Sequence, residues 1–114
     1  MHSCSARINQ IAAFLRALNA LENIRSSHAY AEQAQREVPL RARQTIALIL
    51  AETQDAIDVL TGGPLDLYPD AIELLDEAYG LEVDARRTVE RSFRNALLRQ
   101  AMGLKEEARA SSLE

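Results

Sequence analysis

Three interruptions set what this chain can become: Pro39, the run Gly62-Gly63-Pro64, and Pro69-Asp70. Between them, apolar residues recur every three or four positions, the repeat of an amphipathic helix, and strand formers never alternate over a useful stretch. Proline is tolerated in the first turn of a helix, where its missing N–H has no partner to lose, so Pro39 opens a helix as readily as it closes the one before it. Aromatic residues are only 4% of the 114 residues and Trp is absent, so the core is built from Ala, Leu and Ile, which suits close-packed helices better than a sheet sandwich. The expectation is an all-α fold, an antiparallel bundle of three or four helices in one domain spanning 1–114, with helices at about 5–37, 39–60, 67–79 and 84–108.

In the first helix Ile8, Ile11, Leu15, Leu18 and Leu21 mark the predicted inward stripe, continued by Ala31, Ala34 and Val38. Ser3 or Ser5 is the expected N-cap. Ser26-Ser27 weakens the pattern, so the segment is read as one long helix, with a kink near Ser26 as the alternative. In the second helix Ile46, Leu50, Thr53, Ile57 and Leu60 form a stripe that Leu48, Ile49, Ala56 and Val59 widen past half the circumference, more than a surface helix needs. That arc points to a central helix or to an interface between copies. Leu48, Val59 and Leu98, outside the main stripes, are the candidate interface residues of a homo-oligomer, a dimer in the simplest case. Asp66 is the expected cap of the third helix. Gly80 is read as its end, with Asp84 capping a fourth that carries Ala85, Val89, Phe93, Ala96, Leu97 and Leu104. Phe14 and Phe93 sit on or beside apolar stripes and are expected in the core.

Charge is segregated. From Glu52 to Asp84 every charged residue is acidic, whereas Arg dominates on either side, and the net charge is −4. Complementary blocks of this kind help orient helices or copies of a chain against each other. Within the acidic block, Glu52 and Asp55 lie three apart on one helix, and Glu73 and Asp76 repeat the spacing on the next. Carboxylates one turn apart on facing helices suit Mg²⁺, a hard cation that takes oxygen ligands. This pattern resembles the all-α nucleotide pyrophosphohydrolases of the MazG-like group; the resemblance implies a Mg²⁺-dependent enzyme acting on nucleoside triphosphates. It covers only Glu52 to Asp76, with Ala51 where that group has a second glutamate and Asp55 in place of another. On a helical wheel Asp55 points away from the apolar stripe, and the acidic face reads more simply as solvated.

The stretch Ala85 to Arg94 resembles the recognition helix of a sigma-factor-type helix-turn-helix, which implies that Arg87, Arg91 and Arg94 contact nucleic acid. Against that reading, the turn from Gly80 to Asp84 is too long for the motif, and the acidic net charge lacks the usual basic footprint of a DNA binder. Other chemistry has little to stand on. Cys4 is the lone cysteine, so no disulfide forms within the chain. Neither His2 nor His28 sits in a Glu-x-x-His pair, and Gly62-Gly63-Pro64 lacks the Lys-Ser or Lys-Thr of a phosphate loop. No catalytic residue is assigned, and no cofactor is expected outside the Mg²⁺ alternative. The longest apolar run, Ile46 to Ala51, is too short to span a bilayer. No signal-peptide pattern opens the chain, and the near-exclusive use of Arg over Lys hints at a GC-rich bacterial genome; cytoplasm is the expected compartment, without a membrane partner. The function that fits best is a small helical interaction or scaffold module acting through self-association, with an unidentified protein partner possible.

Overall fold

The computed structural model describes residues 2–63 and 67–113, with side chains from Arg7 onward. The described residues form four α-helices and no strand: α1 (His2–Gln35), α2 (Pro39–Thr61), α3 (Pro69–Arg87) and α4 (Arg91–Ala108), the last running into one π-helical turn, Arg109–Leu113. Each helix packs on its neighbours in sequence, and α1 closes the ring against α4, so the chain runs up, down, up, down. The assembly is a rod of 58 × 19 × 18 Å.

Every helix buries one seam at the same spacing. The buried residues of α1 are Ala13, Ala17, Ala20, Ile24, Ser27, Ala31 and Ala34, and those of α4 are Arg94, Leu98, Ala101, Lys105 and Ala108. In α3 they are Ala71, Leu75, Ala78, Glu82 and Ala85. Alternating steps of three and four average 3.5 residues, the repeat that keeps one stripe facing a neighbour when helices cross at a shallow angle. Alanine on most of these positions lets the backbones approach closely. Two apolar clusters result. One contains Ala20, Ile24, Ala56, Leu60, Ala71, Leu75 and Ala108; the other contains Ala31, Ala34, Ile46, Ile49, Ala85 and Leu98.

α1 runs unbroken through Ser26-Ser27, whose Ser27 Oγ returns a hydrogen bond to Ile24 O at 2.7 Å. Pro39 and Pro69 each stand in the first turn of a helix, as the sequence suggested. The expected break at Gly80 is corrected. α3 passes straight through it, because Ala78, Glu82 and Ala85 continue the buried seam, and that packing outweighs the roughly 1 kcal/mol that glycine costs in a helix. The chain turns instead at Thr88–Glu90, where the Glu90 carboxylate accepts the N–H groups of Ser92 (3.0 Å) and Phe93 (2.6 Å) and caps α4. Asp84 therefore lies in the last turn of α3 and caps no helix start. Asp66 and the side chains of Ser3 and Ser5 lie outside the described residues. Tyr68 Oη donates to Ala13 O at 3.1 Å, pinning the start of α3 against α1 and marking where the bundle ends along that helix.

Candidate functional site

Helix α1 has two apolar faces. Its alanine seam faces the bundle, while Ile8 (65% exposed), Ile11 (59%), Phe14 (62%), Leu15 (53%) and Leu18 (45%) stand on the opposite side, in solvent. The expected inward stripe is thus reversed over Ile8 to Leu18, where the large residues point out and the alanines point in; beyond it Leu21 is half-buried, Ala31 and Ala34 are buried as expected, and Val38 is exposed. Both series share one helical period, so the pattern alone fits either orientation. α1 also outruns its partner. It has 34 residues against 23 in α2, so its first turns project as an arm beyond the point where Tyr68 meets Ala13. Isolated exposed leucines are ordinary, but five large apolar side chains on one face form a patch of the kind that marks an interaction site.

Beside this patch, between α1 and the end of α4, lies an open cleft of about 360 Å³. Leu18, Leu21 and Ile24 form its apolar wall. Along its rim His28 Nε2 meets Glu106 Oε1 at 2.8 Å, and Arg109 Nε donates to Glu106 Oε2 at 2.9 Å. Partial burial works to raise the Glu106 carboxyl, but the hydrogen bonds and positive charge of Arg109 and His28 prevail and hold it below its ordinary 4.5. On the α1 side, Glu22 and Arg25 are exposed and meet only at 3.8 Å, a loose pair that leaves Glu22 open to another cation.

Inside the bundle, one residue from each helix builds a polar layer between the two apolar clusters. The Lys105 ammonium pairs with the Glu82 carboxylate and donates to Ser27 Oγ at 2.9 Å, while Thr53 Oγ1 donates to Glu82 Oε1 at 2.7 Å. All four residues are essentially closed to solvent. Burial drives Glu82 above its ordinary value against the pull of Lys105 and Thr53, and it drives Lys105 below its own against the pull of Glu82. Sealed from any substrate, this layer aligns the four helices; it is not a reaction centre. Thr53 already lay on the predicted stripe of α2, whereas Ser27, Glu82 and Lys105 have charged or hydroxyl side chains that stripe reading leaves out of the core. The signal that would have revealed them is their place in the three-four spacing of each buried seam.

No family model, curated protein or solved structure matches this chain.

The carboxylates suggested for metal stay apart. Glu52 is half-buried and its Oε2 accepts from Asn23 Nδ2 at 2.9 Å, whereas Asp55, Glu73 and Asp76 are exposed. Among the described residues no three His, Cys, Asp or Glu side chains gather as a metal site would require. Arg87, Arg91 and Arg94 do not share one helix, because the turn at Thr88–Glu90 separates the first from the others. Arg87 is exposed at the end of α3. Arg91 Nη2 donates to Gln35 O at 3.1 Å. Arg94 is buried, and its Nη2 donates to Ala34 O (3.0 Å) and Glu37 O (3.1 Å). With Asn95 Nδ2, which also reaches Gln35 O, these residues satisfy carbonyls left open where α1 ends. Arg94 is thus a structural cap with no face to offer nucleic acid.

Of the suggested interface residues, Leu48 is 47% exposed, Val59 is partly buried against the cluster that contains Leu60 and Leu75, and Leu98 is 1% exposed inside the cluster that contains Ile46 and Ile49, with no surface to give a partner. Phe14 and Phe93, expected in the core, are both outside it, Phe93 being 60% exposed at the start of α4. Among the described residues no helix is long and apolar enough to cross a membrane.

Proposed function

We propose that the chain is a protein–protein interaction module that acts by self-association, as a scaffold or adaptor, with the outward face of α1 as its contact surface. The observation that carries this reading is the two-faced first helix: its inner alanines already satisfy the bundle, so Ile8, Ile11, Phe14, Leu15 and Leu18 have no role in holding one chain together. At these exposures the five side chains present on the order of 600 Å² per copy and about 1,200 Å² across two copies, the lower edge of specific protein–protein interfaces. In this reading the contact lies on α1 in place of Leu48 and Val59 of α2 and Leu98 of α4, which the sequence suggested.

Sedimentation velocity across the micromolar range tests this. The native chain is expected to sediment as an oligomer, and Ile11→Glu with Leu15→Glu as a monomer of unchanged helical circular dichroism. Because both residues are exposed, a loss of helicity would point to a part in the core. A native chain that stays monomeric up to about 100 μM would refute self-association as the way this chain acts.

A further inference from the structure

Building on that self-association, we infer that two copies pair antiparallel along the first half of α1, each N-terminal arm lying over the cleft of its partner. The seam Ile8, Ile11, Leu15, Leu18 steps by three, four, three, and reads the same in both directions. A second α1 running the opposite way sets Ile8 against Leu18 and Ile11 against Leu15, and the two-fold axis between them closes the assembly at two copies.

Charge selects this orientation. The seam continues beyond Leu18 to Glu22 and Arg25 at the same spacing. Parallel pairing would bring each onto its own like charge, Glu22 on Glu22 and Arg25 on Arg25. Antiparallel pairing instead carries the arm's Arg7 to within one turn of the partner subunit's Glu22, which its loose 3.8 Å pair with Arg25 leaves available. Shape agrees with charge. The arm projects beyond its own bundle, and reversed against a second copy it covers Leu18 and Leu21 at the mouth of the 360 Å³ cleft. Parallel pairing would lay arm against arm and leave both clefts open.

Disulfide trapping in the full chain, carrying Cys4→Ser to remove the native thiol, separates the outcomes. In an antiparallel pair, residue 18 of one copy lies about 15 Å along the axis from residue 18 of the other, too far for a disulfide, whereas residues 8 and 18 are level. In a glutathione redox buffer, Ile8→Cys chains mixed with Leu18→Cys chains should form the mixed disulfide, and Leu18→Cys alone should form none. A Leu18→Cys homodimer would establish parallel pairing and overturn the inference. A dimeric mass with neither disulfide would place the contact on another face and overturn it too. A monomeric mass for the Cys4→Ser chain and the native chain alike would remove the self-association reading itself. Arg7→Glu should raise the dimer Kd about ten-fold at low salt, since the contact occurs twice, and adding Glu22→Arg should restore it. Equal weakening by each reversal with no restoration would count against the Arg7–Glu22 contact and the orientation it supports.

Discussion

The Ser27–Lys105–Glu82–Thr53 layer makes a quantitative prediction. Lys105→Met removes the cation and leaves the Glu82 carboxylate buried, with only the Thr53 hydroxyl to hold it. Stranding one member of a buried ion pair costs about 3–5 kcal/mol, a large share of the 5–15 kcal/mol that holds a domain of this size together. Glu82→Leu strands the Lys105 ammonium in the same way, with Ser27 Oγ as its remaining partner. The double variant should be far milder, within about 1 kcal/mol of the native chain or more stable than it. Both hydroxyls have a fallback: Ser27 Oγ donates to Ile24 O at 2.7 Å, and Thr53 Oγ1 lies 3.0 Å from Ile49 O, so removing both charges orphans neither. The cycle should therefore show a coupling of at least about 5 kcal/mol, above the usual range for contacting residues. Urea unfolding followed by circular dichroism at 222 nm, at one protein concentration so that self-association contributes equally, reads all four corners.

The same variant gives a pH signature. In the native chain burial already raises Glu82 above 4.5 despite the pull of Lys105, and deleting the lysine removes that opposing pull. A carboxyl raised in the folded state contributes stability that is fully present below 4.5 and is lost as pH rises through its folded value. Lys105→Met should thus recover stability relative to the native chain as pH is lowered from 8 towards 5. Single variants costing under about 1 kcal/mol, with an additive double and no recovery at lower pH, would refute a desolvated layer.

Two other perturbations probe the helix boundaries. Gly80 lies inside α3, and a Cβ built there meets nothing within 4 Å, so Gly80→Ala should stabilise by about 0.5–1 kcal/mol in urea titration; a loss would mean that α3 ends where glycine is required. The Glu90 carboxyl is held below 4.5 by the N–H groups of Phe93 and Ser92, so its contribution is present above 4.5 and disappears as pH falls through its folded value. The Tm gap between the native chain and Glu90→Ala should accordingly close between pH 5 and pH 3; a gap constant over that range would show that the cap contributes nothing through its charge.

What was legible in the sequence follows from what helical periodicity measures. The prolines gave the starts of α2 and α3, and the three-four recurrence gave the helical class, because both are local: a ring that lacks an N–H, and a repeat that matches one turn. Gly80 misled because a glycine signals a cost without revealing what offsets it, and the offset is the burial of Glu82 and Ala85 by residues distant in sequence. Stripe reading also sorts side chains by polarity, so it sent Glu82, Lys105 and Arg94 to the surface, although each occupies a seam position where a partner from another helix neutralises it or takes up its hydrogen bonds.

The first helix shows the deeper limit. A period fixes the axis along which apolar residues align but not which end of that axis points inward, and α1 carries apolar residues at both ends. Size decides between them. Within the bundle, α2 and α4 bury alanines of their own at Ala42, Ala56, Ala101 and Ala108, and a core built from small residues is overpacked by a stripe such as Phe14, Leu15 and Leu18, so the alanine seam is the one that fits. Phe14, Leu15 and Leu18 are then excluded from the core by that packing, while Ile8 and Ile11 stand on the arm beyond it. Their surface must be covered by something outside the chain or remain in water, at a cost of roughly 25 cal/mol for each Å² of apolar area left exposed. Tight internal packing and an exposed contact face are therefore two consequences of one choice of alanine along α1.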